Sequence, residues 1–237
     1  MLNVLVRAGY PQFPPRRRKL IYCDVGARGG LGHPWDRLRA EISTVGFEPD
    51  LEEYARLSKK LPLGDVCLPH VLFSTPGELN LYLTKSRGCS SVYLPNKSFL
   101  CQFPDSERFA VEKILQIHAV TLDDLYRDRS IADIDFIKID VQGAELDILK
   151  GGRKLVDDKV IGVELEVEFA QMYVDQPLFR DVDRHMAECG FQLQDLRRNY
   201  WKLKGASQIG ALKGQLIFGD ALYFRSVEGI VALCGRS

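Results

Sequence analysis

The chain has 237 residues, 46% hydrophobic and 27% charged, enough for one large domain with a substantial core. Its 32 Lys and Arg balance its 32 Asp and Glu, so no global field favours nucleic acid or an anionic membrane surface as partner. No apolar run approaches the roughly 18 residues of a membrane span. The six cysteines are scattered without a C-x-x-C pair, and the N-terminal apolar run is too short for a signal peptide, so a reduced, cytoplasmic protein is expected.

In chain order, residues 1–19 end in PPRRRK, which interrupts any regular element and reads as an N-terminal arm. Residues 20–237 are assigned to a single domain. LIYCDV (20–25) reads as a buried strand leading to a glycine cluster, and WDRLRAEI (35–42) has helical spacing. STVGFE (43–48) is the second strand, after which Asp50 caps a helix over LEEYARL. One strand is expected within VCLPHVLF (66–73). ELNLYL (78–83) alternates after a Pro-Gly turn and predicts a strand with one exposed face. Residues 84–116 read as loop-rich, and their serines and aromatics suggest a lid. Thr121 is an N-cap, FIKID (136–140) a strand, and AELDILK (144–150) a helix closed by Gly151 and Gly152. VIGVELEV (160–167), a helix over 177–189 closed by Gly190, and the strands FQLQDL (191–196) and DALYFR (220–225) complete the pattern. Such alternation predicts a mainly parallel sheet with helices on both faces, binding ligands beyond its carboxyl strand ends.

Three motifs fall at those ends. Asp24-Val-Gly26-Ala27-Arg28-Gly29-Gly30 follows the first strand, where glycines let backbone amides approach a ligand. Its spacing fails the G-x-G-x-x-G of a dinucleotide site. Glu48 of GFEPD, with Pro49 beside it, closes the second strand, where a carboxylate can accept both ribose hydroxyls. In the third motif, Lys138 and Asp140 share one strand face while Ile137 and Ile139 share the other. Gly143 then allows a sharp entry to the helix, leaving Asp140 and Glu145 near its N-terminus. Glu164, Glu166 and Glu168 alternate on one face of the next strand. They are candidates for acceptor hydroxyls, or for a divalent-metal site with Asp140, although no metal ligand set is assigned. His33, His70, His118 and His185 show no ligand spacing.

DVGARGG, GFEPD, TLDDL, FIKIDVQGAELDILKGG, VIGVELEVEF and KGQLIFGDALYF together resemble the FkbM-type family of S-adenosylmethionine-dependent methyltransferases, over residues 20–224. Arg28 stands where the family usually has Asn, and Gln142 where it commonly has Glu. The resemblance implies an α/β class I methyltransferase (Rossmann-like) fold: a seven-stranded, mostly parallel sheet with helices on both faces and an antiparallel insertion at one edge. It implies S-adenosylmethionine as cofactor and methyl transfer to a hydroxyl of a small-molecule or saccharide acceptor. The methionine end is then expected at residues 24–30, the ribose at Glu48, the adenine near Phe73 and Ser74, and the acceptor near Ser90 and Ser91. Asp140 is the expected base, with Glu145 second. A nicotinamide-dependent oxidoreductase and a non-catalytic nucleoside-binding module of the same fold are the alternatives.

Overall fold

A computed structural model of the chain describes residues 18–206 and 213–235; most of the N-terminal arm lies outside them. The main sheet has seven strands in the order β3-β2-β1-β7-β8-β10-β9. They are β1 (Leu20–Val25), β2 (Ile42–Phe47), β3 (Val66–Leu68), β7 (Phe136–Ile139), β8 (Gly162–Glu168), β9 (Phe191–Trp201) and β10 (Gln215–Arg225). The first five run parallel, and β10 pairs antiparallel with both β8 and β9. The strand order reverses at β1, which has β2 on one side and β7 on the other. Adjacent carboxyl ends diverge there into a crevice.

The interior follows from near-continuous apolar strands. Cys23, Val25, Ile137, Ile139, Val163 and Leu165 join one buried cluster with Leu146 and Leu149. Burying a side chain of the size of Ile137 or Ile139 contributes about 1.5–3 kcal/mol. The helices covering the sheet are α1 (Leu51–Ser58), α3 (Leu122–Arg127), α4 (Glu145–Gly151), α5 (Arg153–Lys159) and α6 (Phe179–Glu188); α2 (Lys97–Leu100) lies in the connection before β6, and α7 (Val227–Cys234) follows β10. Asp50 accepts from the Glu52 and Glu53 N–H groups, and Thr121 from that of Asp124, so both expected caps form.

Three expectations change, and one helix had none. The helix over 35–42 shrinks to a 3-10 turn at Trp35–Leu38, because Ile42 is already in register with Leu20 as the first residue of β2. The strand within 66–73 is two strands, β3 and β4 (Val71–Leu72), in different sheets. Pro69 lies between them and has no N–H for a ladder. The loop-rich segment 84–116 contains the start of β6 (Val111–Val120), which pairs with β5 (Gly77–Thr84) and β4 in a second, three-stranded sheet. Two of its aromatics pack inward: Phe103 and Phe109 are buried with Leu100, Met172, Tyr173 and Ile217. Finally, α7 had no sequence expectation at all.

Candidate active site

The loop after β1 is stitched to both neighbouring strand ends. Gly26 and Ala27 donate to Phe47 O at 3.1 and 3.0 Å, and Asp140 N donates to Val25 O at 3.0 Å. Gly26 has φ +82°, and a Cβ there would lie 2.2 Å from Asp140 O. Only glycine permits this contact, which sets the first turn directly against the end of β7.

Around that contact lies a cleft of about 850 Å3, whose wall includes Gly26, Arg28, Glu48, Pro49, Ser90, Ser91 and Asp140 among the residues singled out from sequence. Glu48 is buried and accepts from Asp50 N at 2.9 Å. Burial pushes its carboxyl above the usual range, against the Asp50 N–H and the Arg28 charge. Arg28 donates to Asp50 at 2.7 Å and stands 3.8 Å from Glu48, so its guanidinium belongs to the Glu48 corner rather than to the glycine turn.

Asp140 accepts from Lys138 Nζ at 3.4 Å on one oxygen and from Gln142 Nε2 at 3.2 Å on the other. Lys138 also stands 3.7 Å from buried Asp24. Burial raises the Asp24 carboxyl to about 6, with the Lys138 charge opposing that rise. Although burial disfavours a charged Lys138, Asp24 and Asp140 outweigh it and hold the ammonium above its ordinary pKa. Asp24 Oδ1 has no hydrogen-bond partner among the described residues, and the Lys138 ammonium is the cation that stands against it.

Other expected residues are elsewhere. Asp24 and Ala27 are buried below the cleft surface, and Gly30 faces Leu57 of α1. Phe73 and Ser74 are not on the cleft wall: the Phe73 carbonyl and Ser74 Cα press against Gly151, where a Cβ would meet Phe73 O at 2.1 Å. His70, Val71 and Leu72 line the cleft in their place. Ser91 donates to the Gln142 carbonyl at 2.7 Å, and Ser90 Oγ accepts from Thr84 N at 3.1 Å, so Ser90 braces its own loop and Ser91 ties that loop to the one after β7. Glu145 turns inward, 1% exposed, and accepts from Val141 N and Gly143 N at 2.9 Å. Its carboxylate shapes the loop after β7 and does not line the cleft. Burial raises it to about 7 in spite of those N–H groups. Glu164 accepts from the Trp35 indole at 2.6 Å, and Glu166 from Gln142 Nε2 at 2.6 Å; neither reaches the cleft wall.

Sequence reasoning missed the opposite wall. Leu81, Leu83, Leu115 and Ile117 from β5 and β6 face the cleft, with Arg87 and Lys113 beside them. The period-two pattern of Leu115, Ile117 and Ala119 against Gln116 and His118 was the available signal.

The fold is similar to that of magnesium protoporphyrin IX methyltransferase from Synechocystis PCC 6803, at 11% identity, TM-score 0.44, covering 95% of this chain and 76% of that one. It is also similar to a methyltransferase FkbM from Methylobacillus flagellatus KT, at 13% identity and TM-score 0.49, covering 92% of this chain and 46% of that one. A putative RNA methyltransferase from Pyrococcus horikoshii shares 10% identity at TM-score 0.38, covering 95% of this chain and 81% of that one. No curated protein matches the sequence. Residues 24–193, most of the chain and every cleft residue named above, match the family described as Methyltransferase FkbM domain. The chain therefore belongs to the FkbM methyltransferase family.

Proposed function

We infer that the chain methylates a hydroxyl group of a small-molecule or saccharide acceptor, with S-adenosylmethionine as methyl donor and Asp140 as general base. The observation that carries this reading is the convergence of Gly26, Glu48 and Asp140 on one cleft at the strand-order reversal. The Gly26 turn, set against the end of β7, borders the place for the methionine end, and Glu48 suits the ribose. His70, Val71 and Leu72 replace Phe73 and Ser74 beside the adenine.

S-adenosylmethionine held there would supply an electrophilic methyl on a sulfonium, with a thioether as leaving group. Cleft residues supply alignment, which is the larger part of catalysis when the leaving group is already good. Asp140 takes the hydroxyl proton as the oxygen–carbon bond forms, a contribution of roughly 10²–10⁴-fold. Lys138 and Gln142, one on each oxygen, hold that carboxylate in orientation. Glu145 is not needed as a base, since its oxygens are committed to backbone N–H groups. The apolar wall of Leu81, Leu83, Leu115 and Ile117 favours an acceptor with a hydrophobic body, and excludes water from the reacting atoms.

Glu48→Ala tests the cofactor assignment. Hydrogen bonds to a charged group are worth about 1.5–3 kcal/mol, so affinity for the demethylated cofactor falls roughly ten- to a hundredfold. Calorimetric titration measures it, and unchanged affinity in a folded variant removes Glu48 from the site. Acceptor class is tested by transfer of labelled methyl to a panel of glycosides, free hydroxylated compounds and RNA. Labelling of RNA alone overturns the acceptor assignment.

A further inference from the structure

The three alternating glutamates of β8 do not share one environment. Glu164 is held by Trp35, whereas Glu166 and Glu168 turn toward Glu145 on α4. One carboxylate oxygen from each of Glu145, Glu166 and Glu168 lies within 4.8 Å of the other two. Glu145 and Glu168 are 1% and 2% exposed. Such a group of like charges cannot stay ionised in a dry interior without a counter-charge. Lys138, whose field reaches Glu166, pairs instead with Asp24 and Asp140. Among the described residues, Glu145 and Glu166 receive only neutral hydrogen-bond donors, from the backbone and from Gln142.

A second observation is independent of this crowding. Oε1 of Glu168 is sealed from solvent and has no hydrogen-bond partner among the described residues. Leaving a buried carboxylate oxygen without a donor is costly, and crowding alone does not require it.

We propose that Glu145, Glu166 and Glu168 bind one hard divalent cation beneath the floor of the cleft. All-oxygen carboxylate sets select Ca2+, Mg2+ or Mn2+ over softer metals. Ligand oxygens around Ca2+ lie at most roughly 4.6–5.2 Å apart, twice the usual ligand distance, and around Mg2+ at most roughly 4.0–4.2 Å, so oxygens within 4.8 Å of one another are close enough to share one ion of this class. The cation leaves the triad with one net negative charge. Its effect reaches Asp140 through Gln142, which bridges Glu166 at 2.6 Å and Asp140 at 3.2 Å. The site is separate from the cofactor assignment and is tested without turnover.

The full chain is stripped with EDTA and titrated with Ca2+, Mg2+ or Mn2+ alone, by calorimetry and by thermal unfolding. Saturable binding of one of these ions per chain, with a higher Tm, is expected. Glu168→Gln weakens that binding at least tenfold. Glu166→Gln does the same and serves if the first variant fails to fold. Asp36→Asn, an exposed acid far along the sequence from the triad, leaves it unchanged. Absence of one-to-one binding in the stripped protein overturns the proposal and means that the triad is neutralised by protons. Binding that survives in a folded triad variant also overturns it and assigns the ion to another acidic surface.

Discussion

Asp140 draws its interest from what its neighbours leave it free to do. Lys138 and Gln142 each take one oxygen at hydrogen-bond length, and the carboxylate still borders the cleft. Gln142 adopts φ +64°, uncommon for a residue with a side chain. It is fixed there by Ser91 on its carbonyl and by the Tyr173 hydroxyl on its side-chain oxygen at 3.1 Å. Asp140→Asn keeps the shape and removes the basic oxygen. Turnover at saturating cofactor is expected to fall by about 10²-fold or more, with affinity for S-adenosylmethionine changed far less. Single-turnover kinetics beside calorimetry separate the two. Lost binding with preserved turnover makes Asp140 a cofactor ligand and returns the search for a base to the rest of the cleft.

Among the elements, the α4–α5 pair shows how the backbone sets the site's depth. The two helices meet at Gly151 and Gly152, and Gly151 lets the chain after β4 run against α4. Its missing Cβ is filled by the Phe73 carbonyl. This contact draws Phe73 and Ser74 off the cleft and leaves His70 to Leu72 on its wall. Gly151→Ala places a methyl 2.1 Å from a backbone oxygen that has no rotamer to yield. Overpacking of this kind costs typically about 1–3 kcal/mol, and for a chain of this size Tm falls by several degrees. Differential scanning calorimetry reads the change; an unaltered Tm means that the α4–β4 junction relaxes freely.

At the level of the whole molecule, buried acids link stability to pH. Asp24 is raised to about 6 by burial, above its ordinary 3.8. The folded chain therefore binds more protons than the unfolded chain between about pH 4 and 6, and this contribution to stability is lost as pH rises through that window. Asp24→Asn abolishes the titration. The Tm of the parent protein is expected to decline relative to the variant from about pH 4 to 6, with a constant difference above. Scanning calorimetry in EDTA across pH 4–8 measures this while keeping any cation off the glutamate triad. A parent that gains on the variant over the window reverses the sign and requires an ionised Asp24 in the folded state. At this scale too, no helix among the described residues is long and apolar enough to cross a membrane. The five described cysteines are free thiols.

Local order was readable in the sequence wherever a short-range rule decided it. β1, β2 and β7 are apolar runs with Asp24 next to last in β1 and Glu48 and Asp140 directly after β2 and β7, and a carboxylate at the close of a buried strand marks the carboxyl edge of a sheet. Asp50 and Thr121 were recognisable as caps because a cap bonds to amides two or three residues away. By the same logic, period two put Glu164, Glu166 and Glu168 on one face. It was silent on what lies opposite that face. Trp35 meets Glu164 across 129 residues, and Gln142 meets Glu166 across 24. Only the packing of α4 on β8 brings Glu145 to Glu166 and Glu168. The second sheet was equally out of reach: β4 and β6 pair Val71 with Ala119, a contact paid for by closing a long loop and settled by tertiary packing rather than local preference. The sequence by itself determined the carboxyl ends of β1, β2 and β7, the turn glycines and the candidate acids near them. Tertiary structure alone decided which of those acids face a ligand and which face one another, because that depends on the neighbour a buried face acquires.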